Sequence, residues 1–275
     1  MNRRQFSKTA TAGAFTFPGW TATPSLLGSP GWAEGQPPAV IAHRGASARA
    51  PENTLVAIRQ AIREGAPVVE FDVRVTRDGA LFLFHDDTLE KVCGDGRSFA
   101  TLTEAEVRLL DAGAWFGDGS FAGESIPPLD EAIRLCIEQG VTPLIERKTG
   151  SAVSYAARIR DLDVVGDVIV QAFDWNFLGE LKRELPGLRL GALGSGELDE
   201  PRLERLRQLR PTWIGWRHDD LPGGRIAPLT KEGFRIALWT VNDMSRVREL
   251  ARDGASAIIT DRPREAIETL HGMSE

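Results

Sequence analysis

Seven ionisable side chains stand in or directly after short apolar runs of this sequence, at the points where strands would end. They are the histidines His43 and His85, the carboxylates Glu70, Asp72 and Glu146, and the cations Arg44 and Lys148. Burying such groups is costly unless they pair with one another or bind a ligand. A single carboxylate in such a place is more often a helix cap or an ion-pair partner, so the joint placement of all seven is what predicts a functional site.

The residue types indicate phosphoryl chemistry. Three carboxylates with no cysteine ligand make an oxygen-rich site that suits Mg²⁺ or Ca²⁺. Such a cation neutralises charge on a phosphoryl oxygen and lowers the pKa of a bound water or hydroxyl. Two histidines that titrate near neutrality can act as general acid and general base. Arg44 and Lys148 can hold the non-bridging phosphate oxygens, so the set predicts a metal-dependent phosphodiester hydrolase.

Strand-like and helix-like segments alternate from residue 39 onward, which predicts a parallel α/β fold. The apolar runs 40–42, 68–73 and 143–145 are examples of the strand-like segments. Eight or nine such runs in about 235 residues favour a closed (β/α)8 barrel, whose functional groups lie at the carboxyl ends of its strands, over an open doubly wound sheet. The Gly- and Asp-rich segment 94–124 predicts a short insertion above that end of the barrel.

One segment departs from the alternation of strands and helices. Asp78-Gly79 separates two strand-like runs within residues 70–86 and is a hairpin turn signal. A two-residue loop places Asp72 directly opposite His85, and opposed residues of an antiparallel pair project to the same face. We therefore expect His85 to join Asp72 and Glu70 on one side of the hairpin.

Composition excludes several classes of protein. Among 275 residues, Lys and Arg total 33 and Asp and Glu total 39, and the net charge of −6 argues against binding nucleic acid or anionic membrane through bulk charge. The sequence contains no run of about eighteen apolar residues, so it predicts no membrane-spanning helix. Cys93 and Cys136 are too few for a disulfide scaffold or a four-thiolate zinc site, and a single disulfide between them stays open.

Residues 1–36 are predicted to be a targeting segment and linker, which leaves one domain at 37–275. Arg3 and Arg4 precede a weakly apolar stretch at 10–20, a pattern that resembles a twin-arginine export signal. A disordered basic terminus is the alternative. We expect an exported protein, located in the periplasm or secreted.

The ordered motifs between residues 43 and 86 resemble those of the glycerophosphodiester phosphodiesterases. In sequence order they are His43-Arg44-Gly45, Pro51-Glu52-Asn53-Thr54, Glu70-Phe71-Asp72-Val73, Thr76-Arg77-Asp78-Gly79 and His85-Asp86. Five motifs in the family's order within so short a stretch make the resemblance specific. Weaker matches continue to Thr260-Asp261-Arg262-Pro263, so the resemblance covers residues 39–268.

The resemblance implies a TIM-barrel enzyme of lipid and glycerol metabolism that cleaves small-molecule glycerophosphodiesters to glycerol 3-phosphate and an alcohol. It implies that Glu70, Asp72 and Glu146 bind the metal and that His43 and His85 are the acid–base pair. It also implies that Arg44 and Lys148 contact the phosphate. By the same resemblance, Trp239 lines the pocket and Glu52 contacts the substrate. The nucleophile stays open between the glycerol's own hydroxyl and a metal-bound water. Glu52 and Asn53 both match the family, and the structural alternative for them is to cap the helix that begins at Leu55, because Asn is a preferred N-cap residue.

Two alternative functions stay open at this point. One is a barrel relative that acts on intact lipids, of the phospholipase D or sphingomyelinase D type. The other is a non-catalytic barrel that only binds phosphorylated ligands. The presence of both histidines and all three carboxylates argues against the second alternative, because a binding module does not need an acid–base pair.

Overall fold

The computed structural model describes residues 37–273, and the predicted signal segment at 1–36 lies outside the described residues. Its strands, in chain order, are β1 (Ala39–Ala42), β2 (Val68–Val75), β3 (Leu81–Leu83), β4 (Thr142–Arg147), β5 (Ile169–Ala172), β6 (Arg189–Gly194), β7 (Trp213–Arg217), β8 (Ile236–Trp239) and β9 (Ala257–Thr260). Eight of them are parallel neighbours in the order β1-β9-β8-β7-β6-β5-β4-β2, and β1 pairs with β2 to close the ring. The predicted (β/α)8 barrel is confirmed.

Helices follow the barrel strands and pack around the ring. They are α1 (Leu55–Arg63), α4 (Leu129–Glu138), α5 (Ala152–Asp161), α6 (Trp175–Glu184), α7 (Glu200–Leu209), α8 (Gly223–Lys231), α9 (Met244–Arg252) and α10 (Pro263–His271). Short polar side chains begin several of them, because a side-chain oxygen satisfies an amide that has no partner within the helix. Thr54 caps α1 by accepting from the Ala57 amide, so the predicted cap at Asn53 is wrong by one residue.

The core has two layers, because successive side chains of a strand point to opposite faces. Residues such as Ile41, Leu144 and Trp213 fill the inside of the barrel, and a larger cluster lies between the strands and the helices. Gly191 makes room for the interior indole: a Cβ at that position would lie 2.4 Å from Trp213 Nε1. The barrel is therefore a packed scaffold that holds its rim residues in place.

The segment between β3 and α4 is the predicted insertion. It contains two short helices, α2 (Glu90–Cys93) and α3 (Glu104–Val107), and a 3₁₀ turn at Phe99–Thr101. A small apolar cluster of its own holds it to the hairpin, with Phe84 stacked on Phe99 at a ring-centroid distance of 5.0 Å. The insertion therefore packs against the carboxyl-end hairpin rather than forming a separate domain.

The hairpin between β2 and β3 has a register that differs from the prediction by one residue. Val73 pairs with Leu83, and the Phe84 amide donates to the Asp72 carbonyl, so Phe84 and not His85 lies opposite Asp72. The loop contains three residues rather than two, because the Thr76 amide already bonds the Ala80 carbonyl. Gly79 takes a positive φ of 91°, the left-handed position that such three-residue loops require.

Two expectations from composition are tested directly. Cys93 and Cys136 both have free thiols in the described structure, so the disulfide left open by the sequence does not form. Among residues 37–273, no helix is long and apolar enough to cross a lipid bilayer.

Candidate active site

Three carboxylates meet at the carboxyl end of the barrel. Glu70 and Asp72 alternate along β2 and share a face, and Glu146 pairs with Asp72 in the parallel register between β2 and β4. One oxygen from each carboxylate lies within 4.8 Å of the others, and all three side chains are buried. The structure thus brings together the three residues that the sequence predicts as metal ligands.

Arg44 and Lys148 surround this cluster with positive charge. Arg44 Nε lies 3.0 Å from Asp72 Oδ2, and the Arg44 amide donates to Glu70 Oε2 at 2.9 Å. Lys148 Nζ lies 3.2 Å from Asp72 Oδ1 and donates to Glu146 Oε1. Burial by itself would raise the pKa of Asp72, but the Coulomb attraction of Arg44 and Lys148 holds that pKa well below its usual range. Asp72 is therefore the ionised centre of the cluster.

The two glutamates are short of compensating charge. Burial raises the pKa of Glu70 well above its ordinary value, and repulsion from Asp72 and Glu146 raises it further. The pKa of Glu146 is raised by the same two causes, burial first and the Asp72 charge second. Buried like charges are unfavourable without a compensating cation.

Two oxygen atoms with few or no partners indicate the ligand that this cluster would take. Within the described part of the chain, buried Glu70 Oε1 has no hydrogen-bond partner, and Asp72 Oδ1 has only its ion pair with Lys148 Nζ. Oxygen donors from carboxylates are the ligands that Mg²⁺ and Ca²⁺ prefer. The residues present therefore fit a divalent cation, which would satisfy both atoms and lower the pKa of both glutamates.

Asn53 supports Asp72 from the loop that precedes α1. Its Nδ2 donates to Asp72 Oδ2 at 2.9 Å, and its Oδ1 accepts from the Asp72 amide at 3.0 Å. The side chain is buried and Asn53 adopts a positive φ of 58°, a conformation that Asn tolerates better than most residues. The sequence indicated a helix cap as the structural role of Asn53, and its bonds to Asp72 are a different role.

His43 is held by Asp261, which follows β9. The distance from His43 Nδ1 to Asp261 Oδ1 is 2.6 Å, and Ser47 Oγ and Asn242 Nδ2 also donate to the Asp261 carboxylate. Burial acts to raise the pKa of Asp261, but the bonds from His43, Asn242 and Ser47 outweigh it and bring the pKa to about 2. An ionised Asp261 favours the tautomer with a proton on Nδ1, which leaves Nε2 as the unprotonated ring nitrogen of a neutral His43.

His85 also has a carboxylate partner, its neighbour Asp86, with 2.6 Å between His85 Nδ1 and Asp86 Oδ1. Partial burial lowers the pKa of His85, the charge of Asp72 opposes that change, and Arg44 and Lys148 lower the pKa as well. These three charges act on the imidazole because His85 lies beside the cluster, even though the register of the hairpin is not the predicted one.

Glu52 and Trp239 border the site in different ways. Glu52 accepts from Arg44 Nη1 at 2.8 Å and from Lys91 Nζ at 2.7 Å, so it contacts the cluster through Arg44. Trp239 ends β8 and meets Phe173 edge-on at a ring-centroid distance of 5.6 Å. Phe173 is 48% exposed. These two rings form an aromatic border on the rim of the barrel.

Gln171 on β5 is a further polar residue beside the cluster that the sequence did not single out as a site residue. It pairs with Glu146 in the parallel register and is buried. Among residues 37–273, its Oε1 and the Nε1 of Trp239 belong to the few buried side-chain atoms that have no hydrogen-bond partner. Buried polar atoms without a partner are uncommon, so these two atoms distinguish this part of the barrel from its apolar interior.

Comparison with known proteins places this arrangement in a family. The sequence profile of the Glycerophosphoryl diester phosphodiesterase family matches residues 43–265. A glycerophosphodiester phosphodiesterase from Caldanaerobacter subterraneus subsp. tengcongensis is 32% identical over 238 residues, which are 83% of this chain and 96% of that protein. The chain belongs to the glycerophosphodiester phosphodiesterase family. It is accordingly a phosphoric diester hydrolase.

Solved structures of relatives show the same barrel. An Oleispira antarctica phosphodiesterase in complex with its product sn-glycerol-3-phosphate is 27% identical with a TM-score of 0.79, over 86% of this chain and 97% of that one. A glycerophosphodiester phosphodiesterase from Agrobacterium tumefaciens is 28% identical with a TM-score of 0.73, over 84% and 99% of the two chains. The likeness therefore extends over nearly the whole of both relatives.

The raised pKa of Glu70 predicts that this residue lowers the stability of the metal-free protein at neutral pH. Below the pKa that Glu70 has in the unfolded chain, Glu70 is protonated in both the folded and the unfolded state. Between that pKa and the raised pKa of the folded state, only the folded protein keeps the proton, so its stability falls as the pH rises. We expect Glu70→Gln to raise the free energy of unfolding at pH 7 by on the order of 1 kcal/mol. Urea unfolding in the presence of a chelator measures this difference.

The matched control for this prediction is Glu138→Gln, because Glu138 is an exposed glutamate on α4. The gain in stability of Glu70→Gln over wild type should shrink at pH 4, where Glu70 of the wild-type protein is largely protonated in both the folded and the unfolded state. A Glu70→Gln protein that is equally or less stable than wild type at pH 7 would contradict the prediction.

Proposed function

We propose that this protein hydrolyses glycerophosphodiesters to glycerol 3-phosphate and an alcohol, with His43 and His85 as the general acid and general base. A divalent cation, Mg²⁺ or Ca²⁺, would be bound by Glu70, Asp72 and Glu146. The observation that carries the proposal is the convergence of this carboxylate cluster, two cationic side chains and both carboxylate-anchored imidazoles at one end of the barrel. The product complex of the Oleispira antarctica relative supports this choice of substrate class.

The roles follow from the charges of the residues. Bound at the cluster, the cation would neutralise charge that develops on the phosphoryl group. Arg44 and Lys148 supply the donors for the non-bridging oxygens, Arg44 with a planar fork and Lys148 as a point charge. One imidazole accepts the proton of the attacking hydroxyl, either the glycerol's own or that of a water, and the other protonates the leaving oxygen. Glu52 orients Arg44, and Trp239 lines the rim beside the substrate.

Removal of either imidazole tests the acid–base pair. We expect His43→Ala and His85→Ala each to lower kcat by roughly 10²- to 10⁴-fold, the usual contribution of a general acid or base. Thermal unfolding should stay close to wild type, since neither residue belongs to the apolar core. The measurement is steady-state turnover of glycerophosphocholine in the presence of Mg²⁺ or Ca²⁺.

His271→Ala is the control for these variants, because His271 lies at the end of α10, away from the rim. Near-normal turnover in one of the two variants would remove that histidine from the mechanism. A lysophospholipid tested in parallel separates the proposal from an enzyme of intact lipids, which would turn over that substrate faster than glycerophosphocholine. No turnover of either substrate by wild type would favour a barrel that only binds phosphorylated ligands.

Metal dependence tests the carboxylate cluster. We expect chelation to abolish turnover and added Mg²⁺ or Ca²⁺ to restore it, because three carboxylates converge there and buried Glu70 Oε1 has no hydrogen-bond partner among the described residues. Glu146→Gln should weaken binding of the ion in calorimetry, whereas Glu138→Gln should not. Full activity after exhaustive chelation, or unchanged ion affinity in Glu146→Gln, would refute the cluster as the metal site.

We also propose that residues 1–36 direct export of the folded chain through a twin-arginine route, on the sequence pattern alone. Replacing Arg3 and Arg4 together with lysine should keep the protein uncleaved in the cytoplasm of an expressing bacterium. Fractionation and intact-mass measurement test this outcome. Export and processing that are unaffected by the double replacement would contradict the proposal.

A further inference from the structure

The hairpin ladder does not by itself direct His85 into the site. Phe84 lies opposite Asp72 and so shares its face, and a continued strand would turn His85 to the other face. The ladder ends at this point, because the Asp72 amide donates to Asn53 Oδ1 and the regular strand stops at Leu83. Some contact outside the ladder must therefore hold the chain where His85 meets the cluster.

Arg74 makes that contact. Its Nε donates to the His85 carbonyl at 2.8 Å, and its Nη1 lies 2.7 Å from Asp87 Oδ1. Arg74 follows Asp72 by two residues on β2, so both side chains leave the same face of the strand. The guanidinium thus reaches from the strand that carries two of the carboxylates to the backbone of the residue that carries the imidazole.

Packing does not explain an arginine at this position. The Arg74 side chain is only 11% exposed, and burial of a guanidinium is unfavourable unless its donors are used. Its cross-strand neighbour is Phe82, which belongs to the apolar cluster of the insertion, so an apolar side chain would pack there at least as well. Asp87 is 87% exposed, and an ion pair with such a group contributes little. The shielded bond to the His85 carbonyl is the contact that uses a donor of this buried guanidinium.

We propose that Arg74 is a positioning residue for His85: it fixes the backbone at His85 after the ladder has ended and so holds the imidazole beside the carboxylate cluster. The inference rests on the proposed function, because it takes His85 as a member of the acid–base pair. Arg74 itself need not touch the substrate. Its loss should therefore affect the chemical step through His85 alone.

The test is a double-mutant cycle of Arg74→Met and His85→Ala, assayed with glycerophosphocholine and a saturating divalent cation. We expect Arg74→Met to lower kcat by about 10- to 100-fold with little change in KM, since a small misplacement of a catalytic group costs on that order. Arg74→Lys should recover part of the loss, because an ammonium can donate to the same carbonyl. In the His85→Ala background, Arg74→Met should cause no further loss.

Arg189→Met is the matched control, because Arg189 donates to the Gly166 carbonyl at 2.7 Å at the opposite end of the barrel. It should leave kcat unchanged even if it lowers stability. Wild-type kcat in Arg74→Met, or an equal loss in the wild-type and His85→Ala backgrounds, would overturn the positioning role. If Arg74→Met does not fold, the same cycle with Arg74→Leu, which also lacks a donor for the His85 carbonyl, gives the answer.

The same set of Arg74 and His85 variants distinguishes a failure of the proposed function from a failure of the inference about Arg74. A wild-type protein that does not turn over the substrate, or a His85→Ala variant with normal kcat, would show that the proposed function fails, and the inference about Arg74 would fall with it. Normal wild-type turnover and a strong loss in His85→Ala, together with an unaffected Arg74→Met, would overturn the inference alone.

Discussion

Buried negative charge is the constraint around which the carboxyl end of this barrel is organised. Three carboxylates share a small volume, and Asp72 at their centre is bonded or paired to Arg44, Lys148 and Asn53 at once. The packed barrel beneath cannot relax to separate them, because their strands are hydrogen-bonded neighbours. The site therefore holds three carboxylates against the two cationic side chains Arg44 and Lys148. Ionising all three carboxylates is unfavourable without a further cation, and a divalent ion would supply that charge.

The two imidazoles are held in the same way but by different parts of the fold. Each contacts a carboxylate oxygen through Nδ1 at 2.6 Å. The partner of His43 is anchored by Asn242 and Ser47 on barrel loops. The partner of His85 is the next residue in the chain, and the His85 carbonyl accepts from Arg74 Nε. One imidazole is thus fixed by the barrel and the other by the hairpin and its insertion.

Much of this arrangement can be predicted from the sequence, because it follows from the periodicity of the apolar residues and from the order of the strands and motifs along the chain. Alternation of apolar runs and amphipathic helices predicts the barrel, and the barrel places strand ends on one rim. Glu70 and Asp72 share a face because side chains in a strand alternate. Glu146 joins them because parallel neighbours in register bring equivalent positions together. The ordered motifs between residues 43 and 86 indicate the family that the comparisons confirm.

The sequence by itself determined the fold class, the carboxylate cluster and the family, since these depend on local periodicity and short motifs. Only the tertiary structure decided the hairpin register, the role of Asn53 beside Asp72 and the pairing of His43 with Asp261. A single extra loop residue shifts the register, and that length depends on turn hydrogen bonds made by Thr76. His43 and Asp261 are 218 positions apart, and no periodic signal connects residues that meet only when the barrel closes.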